Sequence, residues 1–497
     1  MKNAVYVGGG FSQDQLLWII PIICEKYKGT RISKIIFEKD PDEHVLKNTE
    51  IKNYLNEYKI INKKELELFK NKYLKYLYIL IINFFNIFNY IFFVDRKKIL
   101  NQKNWFKSQL NHAFWDICLK SISEGKLEPS LKHKFFSILQ CCYYLNLSKI
   151  LVKNGVKEVF LGHSVYHSRA MLAYFRLLGN IKIFTQAAFG IQRQELNRDI
   201  AWHYISKKKF RLVKNKINKS IILKYFSKRK SGLGNYYDAN FASLNSNSKI
   251  KYRNFNTIFL HVFRDSPFNV IDKKRIFVDY FEWFEKTLTI IKDSKEIWLV
   301  RLHPSHRRWG ENQEKTLKSF FKKIVYKNNF KNIIICNQKI SNNYLIQKSN
   351  KILTFSGSVQ LEAACFGKKA ITIMPNHRNI NVNLSITPRN YDDYKNILLL
   401  KNKKFMHLCS LSSHQVLLSK YLLYIRENIH YLKKDLNGFE ILKNDSFKIK
   451  NKNFKSISET INNNQIFFKQ NAFLLRSGNS HTISSKYINL FQKIKYK

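Results

Sequence analysis

The sequence predicts an α/β protein with two doubly wound, parallel-sheet halves and a helical insertion in the N-terminal half. Three observations lead there. Apolar runs of buried-strand length alternate with helical periodicity from Thr257 to Ile373. The chain opens on a strand, a glycine turn and a helix, and a second strand–loop–helix–strand unit spans 158–186. The expected boundaries are 1–206 for the N-terminal domain, with its insertion at about 54–149, 207–251 for a linker or surface excursion, 252–436 for the C-terminal domain and 437–497 for a basic tail.

Taken in order, Ala4–Val7 reads as a strand, Gly8-Gly9-Gly10 as the turn and 14–27 as a helix. The glycines do not complete G-x-G-x-x-G, because Gln13 stands where the third would fall. A tight turn explains them as well as a ligand does. A second strand spans 31–38, and Asp40-Pro41-Asp42 after it reads as a turn. Glu158–His163 is a strand ending in a polar loop, so His163, Tyr166 and Arg169, with Gly9, Gly10 and Asp14, are acceptor-side candidates at strand ends. A histidine tied into a turn accounts for His163 equally well. In the second half, strands are expected at 257–263, 297–302, 332–336, 352–355 and 370–373, with helices between them.

Composition sets the class. The chain has 497 residues, 45% of them hydrophobic, enough for a large core. The formal charge of +52 would suit nucleic acid, an anionic membrane or phosphate-bearing substrates. The basic residues are spread along the chain, however, and no nucleic-acid module is recognisable, so nucleic acid is disfavoured. Cys24, Cys118, Cys141, Cys142, Cys336, Cys365 and Cys409 form no C-x-x-C pair and read as buried thiols of a reducing cytoplasm. No secretory signal is expected at the N-terminus.

From Tyr76 to Val94 no residue is charged, and Lys72, Lys75, Arg96, Lys97 and Lys98 flank the run. Its length approaches that of a membrane span. Asn83, Asn86 and Asn89 recur every third residue, which favours a buried or membrane-surface helix over a spanning one. Peripheral contact with an anionic membrane is therefore expected.

Two stretches carry the chemistry. EIWLVRLHP (296–304) and KILTFSGSVQLEA (351–363) each run from a buried strand into small, polar or cationic residues. Arg301 and His303 share a strand face, and Ser356, Gly357 and Ser358 lie where backbone N–H groups and hydroxyls could meet a phosphate. Glu362 is either a ribose acceptor or a helix-solvating residue. In the loop after 257–263, Arg264 is a further cation and Asp265 a candidate base, or the cap of the turn before Pro267.

These residues resemble a known family. HVFRDSP (261–267), the aromatic helix DYFEWF (279–284), RLHP and FSGSVQLEAACFGKKAI are similar to the capsule polysaccharide biosynthesis family, which includes Kdo transferases, and more distantly to HP-motif sialyltransferases. The resemblance covers about 257–375 and, more weakly, 158–193. It implies a GT-B-like architecture of two Rossmann-like domains facing a cleft. It also implies a nucleotide sugar, with His303, Ser356 and Ser358 at the nucleotide phosphate. The chain departs from the pattern in Arg301, where Lys is usual, and in Gly357 between the serines. The expected function is metal-independent, cofactor-free glycosyl transfer to a glycan or glycolipid acceptor at the inner face of the cell membrane, with a CMP-linked acidic sugar as one candidate donor and Asp265 as base. Transfer of a polyol phosphate from a CDP-linked donor, polyanion binding and a catalytically inactive scaffold are the alternatives.

Overall fold

A computed structural model describes residues 3–428 apart from 9–15, short gaps between 17 and 28, 40, 47–48, 68–70, 163, 188–189, 195–209, 212–213, 216, 233–249, 270–274, 308, 326–331 and 376–381. Beyond residue 428 it describes only 439–441 and 447–449. The chain divides into two compact units, one of residues 1–88, 138–198 and 429–497 and the other of 89–137 and 199–428.

The first unit is built on six strands, β1 (Asn3–Val7), β2 (Ile32–Phe37), β3 (Lys59–Asn62), β4 (Val156–Leu161), β5 (Lys182–Ala187) and β6 (Gly190–Gln194). Their order is β3-β2-β1-β4-β5-β6, all parallel except the β5–β6 hairpin. β1 is buried along Ala4–Val7, and Val5, Val7, Ile35, Phe37, Phe160 and Phe184 share one core with Leu16, Ile20 and Ile23. Gly8 continues β1 between its neighbours: a Cβ there would lie 2.4 Å from Leu161 Cδ2, so only glycine fits.

The second unit repeats the plan with β7 (Asn256–Phe259), β8 (Trp298–Arg301), β9 (Ile333–Ile335), β10 (Ile352–Thr354), β11 (Ala370–Thr372) and β12 (Ser385–Ile386). Its order is β12-β11-β10-β7-β8-β9, parallel throughout. Counted within each unit, both sheets read 3-2-1-4-5-6, so the expected doubly wound α/β architecture holds in each. The direction of winding reverses between β1 and β4 in one and between β7 and β10 in the other, where open sheets of this kind leave a crevice at the strands' carboxyl ends.

The helices used below are α1 (Lys72–Ile82), α2 (Phe84–Phe93), α3 (Trp105–Ser121), α4 (Leu131–Lys153), α5 (His167–Leu178), α6 (Lys219–Lys230), α7 (Tyr280–Ile291), α8 (Gln313–Val325), α9 (Asn342–Lys348), α10 (Val359–Cys365) and α11 (Ser413–Asn428). Most of the expected insertion at 54–149 is helical, but it contains β3, and its residues 89–137 group with the second unit. There α3 buries Phe114, Trp115 and Leu119 and lies against the loop after β7. The Ser266 hydroxyl donates to Asp116 (2.5 Å), His112 stacks on Phe268 (4.1 Å), and Trp115 Nε1 donates to Asp279 (2.9 Å). The stretch 207–251, expected as a linker or surface excursion, holds the packed helix α6. Ile222, Tyr225 and Arg229 recur at helical spacing and are buried, a periodicity masked in the sequence by the surrounding lysines.

The uncharged run at 76–94 is not one helix. α1 ends at Asn83, whose backbone N–H and side-chain amide both donate to the Ile79 carbonyl, and α2 departs at an angle of 81°. Among the described residues one helix, α4, is long and apolar enough to cross a membrane, and more than half of its apolar window is buried in the protein.

Candidate functional site

The site is built where β10, β7 and β8 end side by side. After β7 the chain turns through His261–Ser266. His261 lies flat on Tyr280 of α7, with ring centroids 4.4 Å apart and planes 3° from parallel. Its Nδ1 is buried without a hydrogen-bond partner and stands 4.0 Å from Asp265 Oδ2. Burial holds the His261 pKa below its ordinary value, so the ring is neutral. The Asp265 side chain is 41% exposed, and one of its carboxylate oxygens accepts the Ser266 N–H (2.8 Å).

After β8, His303 is fixed from three directions. Its N–H donates to Gln313 Oε1 (2.8 Å), its Nδ1 accepts the Ser305 N–H (3.2 Å), and its ring lies 5.9 Å from that of His261. Since Nδ1 is an acceptor, the ring proton of the neutral tautomer is assigned to Nε2. Burial, with His261 and His306 nearby, pushes the pKa of His303 down to about 3, so it acts as a neutral N–H donor at pH 7. Gln313, at the start of α8, ties the two loops by also donating from Nε2 to the His261 carbonyl (2.7 Å).

After β10 comes Ser356-Gly357-Ser358. The Ser356 side chain hydrogen-bonds Tyr280, whose hydroxyl is held protonated by burial. Gly357 donates its N–H to Thr354 Oγ1 (3.3 Å), and a Cβ at 357 would come within 2.9 Å of that oxygen. Tyr280 thus touches residues from two of the three loops, and its ring also meets Phe355 edge-on (4.8 Å).

Not every expected residue converges here. Arg301 is buried and engaged elsewhere: its Nε donates to Asn342 Oδ1 (3.1 Å) and its Nη1 to the Asn337 carbonyl (3.0 Å). Arg264 binds the carbonyls of Gly310 and Lys120 (2.9 Å each), joining its loop to α3. Glu362 accepts from Ser358 Oγ (2.9 Å) and Arg229 Nη2 (3.1 Å), and Arg229 in turn reaches Glu427 (3.2 Å). That buried chain of charges links α10, α6 and α11.

Other members of this neighbourhood were not singled out in the sequence. Glu311 is 2% exposed and accepts the Arg264 N–H (3.0 Å); burial outweighs its hydrogen bonds and pushes its pKa up to about 7. His261 opens HVFRDSP and Tyr280 lies in DYFEWF, but neither motif assigned them a role. Gln313 has only its position, at the first turn of α8, as a signal.

In the first unit, Gly9, Gly10, Asp14 and His163 lie outside the described residues. Tyr166 precedes α5 with φ +54°, a rare backbone state for a bulky residue, and Arg169 is buried in that helix. The strand ends also hold a polar cluster. Glu38, just past β2, accepts from Tyr6 (3.1 Å), Tyr144 (2.6 Å) and Lys63 (3.3 Å), and His167 stacks on Tyr144 (4.3 Å). Burial alone would raise the Glu38 pKa, but Lys63 and the Tyr144 hydroxyl outweigh it and keep an anion. Among the described residues no group of three or more His, Cys, Asp or Glu side chains is placed to hold a metal ion.

No family model matches the chain, and no curated protein does. Among solved structures it is similar to the UDP-GlcNAc 2-epimerase of Methanocaldococcus jannaschii in complex with UDP-GlcNAc and UDP, at 15% identity over 82% of this chain and 92% of that one, with a TM-score of 0.28. The UDP-GlcNAc 2-epimerase of Neisseria meningitidis bound to UDP-GlcNAc matches at 11% identity over 86% and 98%, with a TM-score of 0.26. The S. aureus MnaA–UDP structure matches at 10% identity over 86% and 96%, with a TM-score of 0.25. With TM-scores this low, none of the three bears on the fold or the chemistry, which rest on the strand order and the side chains described above.

Proposed function

We propose that the chain is a glycosyltransferase of bacterial surface carbohydrate assembly that takes its sugar from a nucleotide-activated donor. One observation carries this reading. At the point where the second sheet reverses its winding, the loops after β7, β8 and β10 bring His303, His261, Asp265 and Ser356 around Tyr280. In the proposed reaction the acceptor oxygen bonds to the anomeric carbon, and the bond from that carbon to the nucleotide phosphate breaks with its electron pair on the phosphate. Neutral His303 donates its Nε2–H to that phosphate, and the Ser356 hydroxyl, the Ser358 hydroxyl once turned from Glu362, and the Gly357 turn complete the cradle. Asp265 takes the acceptor proton. Arg301, Arg264 and Glu362 act behind this layer by holding the strand ends and α10 in place. The acceptor-side assignment of Gly9, Gly10, Asp14, His163, Tyr166 and Arg169 rests on the sequence pattern alone. The reaction needs no metal or other cofactor, and its setting is the cytoplasmic side of the membrane.

The test is turnover and calorimetric binding with CMP-, CDP- and UDP-linked sugars. One nucleotide series should bind, and His303→Ala should lower kcat/KM by about a hundredfold. Because His303 donates as a neutral group, His303→Ala should leave the buffer dependence of the binding heat at pH 7 unchanged. Turnover of a CDP-linked polyol with no glycosidic product would replace sugar transfer by polyol-phosphate transfer. Steeply salt-dependent DNA binding, with no affinity for any nucleotide sugar, would favour a polyanion-binding protein. Polysaccharide synthesis unchanged in His303→Ala would mark the chain as an inactive scaffold.

A further inference from the structure

Helices α1 and α2 turn outward an amount of apolar surface that a water-facing segment does not carry without use. Tyr73 is 84% exposed, Ile81 66% and Phe85 85%, with Leu74, Leu77 and Phe88 each about half exposed. Ile79 and Ile87 are buried and pin the pair to the protein. The exposed positions 73, 77 and 81 follow one face of α1, and 84, 88 and 92 follow one face of α2.

Each helix is too short to cross a bilayer. The 11 residues of α1 and the 10 of α2 reach about 16 Å and 15 Å, roughly half of the ~30 Å hydrocarbon core. The 81° break at Asn83, with its carboxamide capping α1, prevents them from acting as one rod. Asn86 and Asn89 are exposed beside the aromatics, a mixture suited to the depth where acyl chains meet headgroups. Charge selects the kind of surface. No Asp or Glu occurs between Glu67 and Asp95, and the bent pair is followed by exposed Lys97 and Lys98.

We infer that the α1–α2 bend is a monotopic membrane anchor that lies in the interface of an anionic bilayer, with Phe84, Phe85 and Phe88 among the acyl chains and the following lysines at the headgroups. This goes beyond the proposed transfer reaction and stands or falls separately from it.

Flotation of the full-length protein with vesicles tests it. The protein should float with phosphatidylcholine vesicles containing phosphatidylglycerol, and far less with phosphatidylcholine alone. The double variant Phe85→Ser/Phe88→Ser should lower partitioning by about tenfold or more, and Lys97→Glu/Lys98→Glu should remove the preference for anionic vesicles. Since all seven cysteines are buried, Phe85→Cys carrying an environment-sensitive fluorophore reports insertion without disturbing the other helices. Its emission should shift to the blue on anionic vesicles. Equal flotation of wild type and Phe85→Ser/Phe88→Ser, or an unshifted probe, overturns the anchor. So does a wild type that ignores vesicles but dimerises in solution through this face, with the double variant monomeric.

Discussion

Glu311 shows how a single buried group sets a pH dependence. Its carboxyl belongs to the loop after β8 and receives the N–H of Arg264 from the loop after β7, so it braces the two loops that carry His303 and Asp265. A carboxyl whose pKa rises to about 7 on folding gives stability that is fully present below the ordinary value of 4.5 and lost as pH rises through 7. Glu311→Gln keeps an acceptor for the Arg264 N–H and cannot ionise. It should therefore be more stable than wild type at pH 8, by up to about 3 kcal/mol, with the difference vanishing toward pH 4. Urea unfolding at the two pH values decides the matter, and an equal offset at both would refute the assignment. This residue was hidden in the sequence. His303, Ser356 and Asp265 could be read because strand ends are marked by where apolar runs stop, whereas Glu311 matters through a contact across 47 positions that no local pattern encodes.

At the scale of elements, the turn between β10 and α10 is tightly fitted. Gly357 has no room for a Cβ because Thr354 Oγ1 occupies the space and accepts its N–H. Gly357→Ala should cost about 1–3 kcal/mol and weaken binding of the proposed nucleotide donor. Adding Thr354→Ala, which removes the obstructing oxygen, should restore part of both losses, so a double-mutant cycle of thermal melts and calorimetry would show coupling of about 0.5 kcal/mol or more. Strict additivity would mean the turn is held by something else. The strands were the most legible elements, since parallel buried strands announce themselves as unbroken apolar runs. Two elements were obscured for identifiable reasons. α6 is a lysine-rich helix whose buried face contains only Ile222, Tyr225 and Arg229, and the last of these is readable as core only once Glu362 and Glu427 are seen around it. The break between α1 and α2 falls at Asn83, the first of three asparagines spaced every third residue in an uncharged run, and nothing in that spacing singles it out from Asn86 or Asn89.

At the scale of the molecule, the two sheets share one strand order although no internal repeat is visible in the sequence. Alternating pattern alone was enough to predict the class. The division of the chain was less legible, because 89–137 precedes β4 of the first unit yet packs in the second. A fragment of residues 207–436 should therefore be aggregation-prone. Asp279 would be left without Arg96 and Trp115, and Phe268 without His112. Joining residues 89–137 to that fragment should restore a monomer with a native near-ultraviolet circular dichroism spectrum. A monomeric, natively packed 207–436 on its own would contradict this.

The position of α3 also has a consequence in time. The helix leaves the ribosome about 150 residues before Ser266 and 164 before Asp279. At roughly 5–20 residues per second, it waits on the order of ten seconds for the partners of His112, Trp115 and Asp116. Throughout that interval the nascent chain presents a helix that has Tyr90 against Phe114 but not yet Ser266, Phe268 or Asp279. Its yield in the cell should accordingly depend on chaperone capacity during translation more than on the stability of the finished fold.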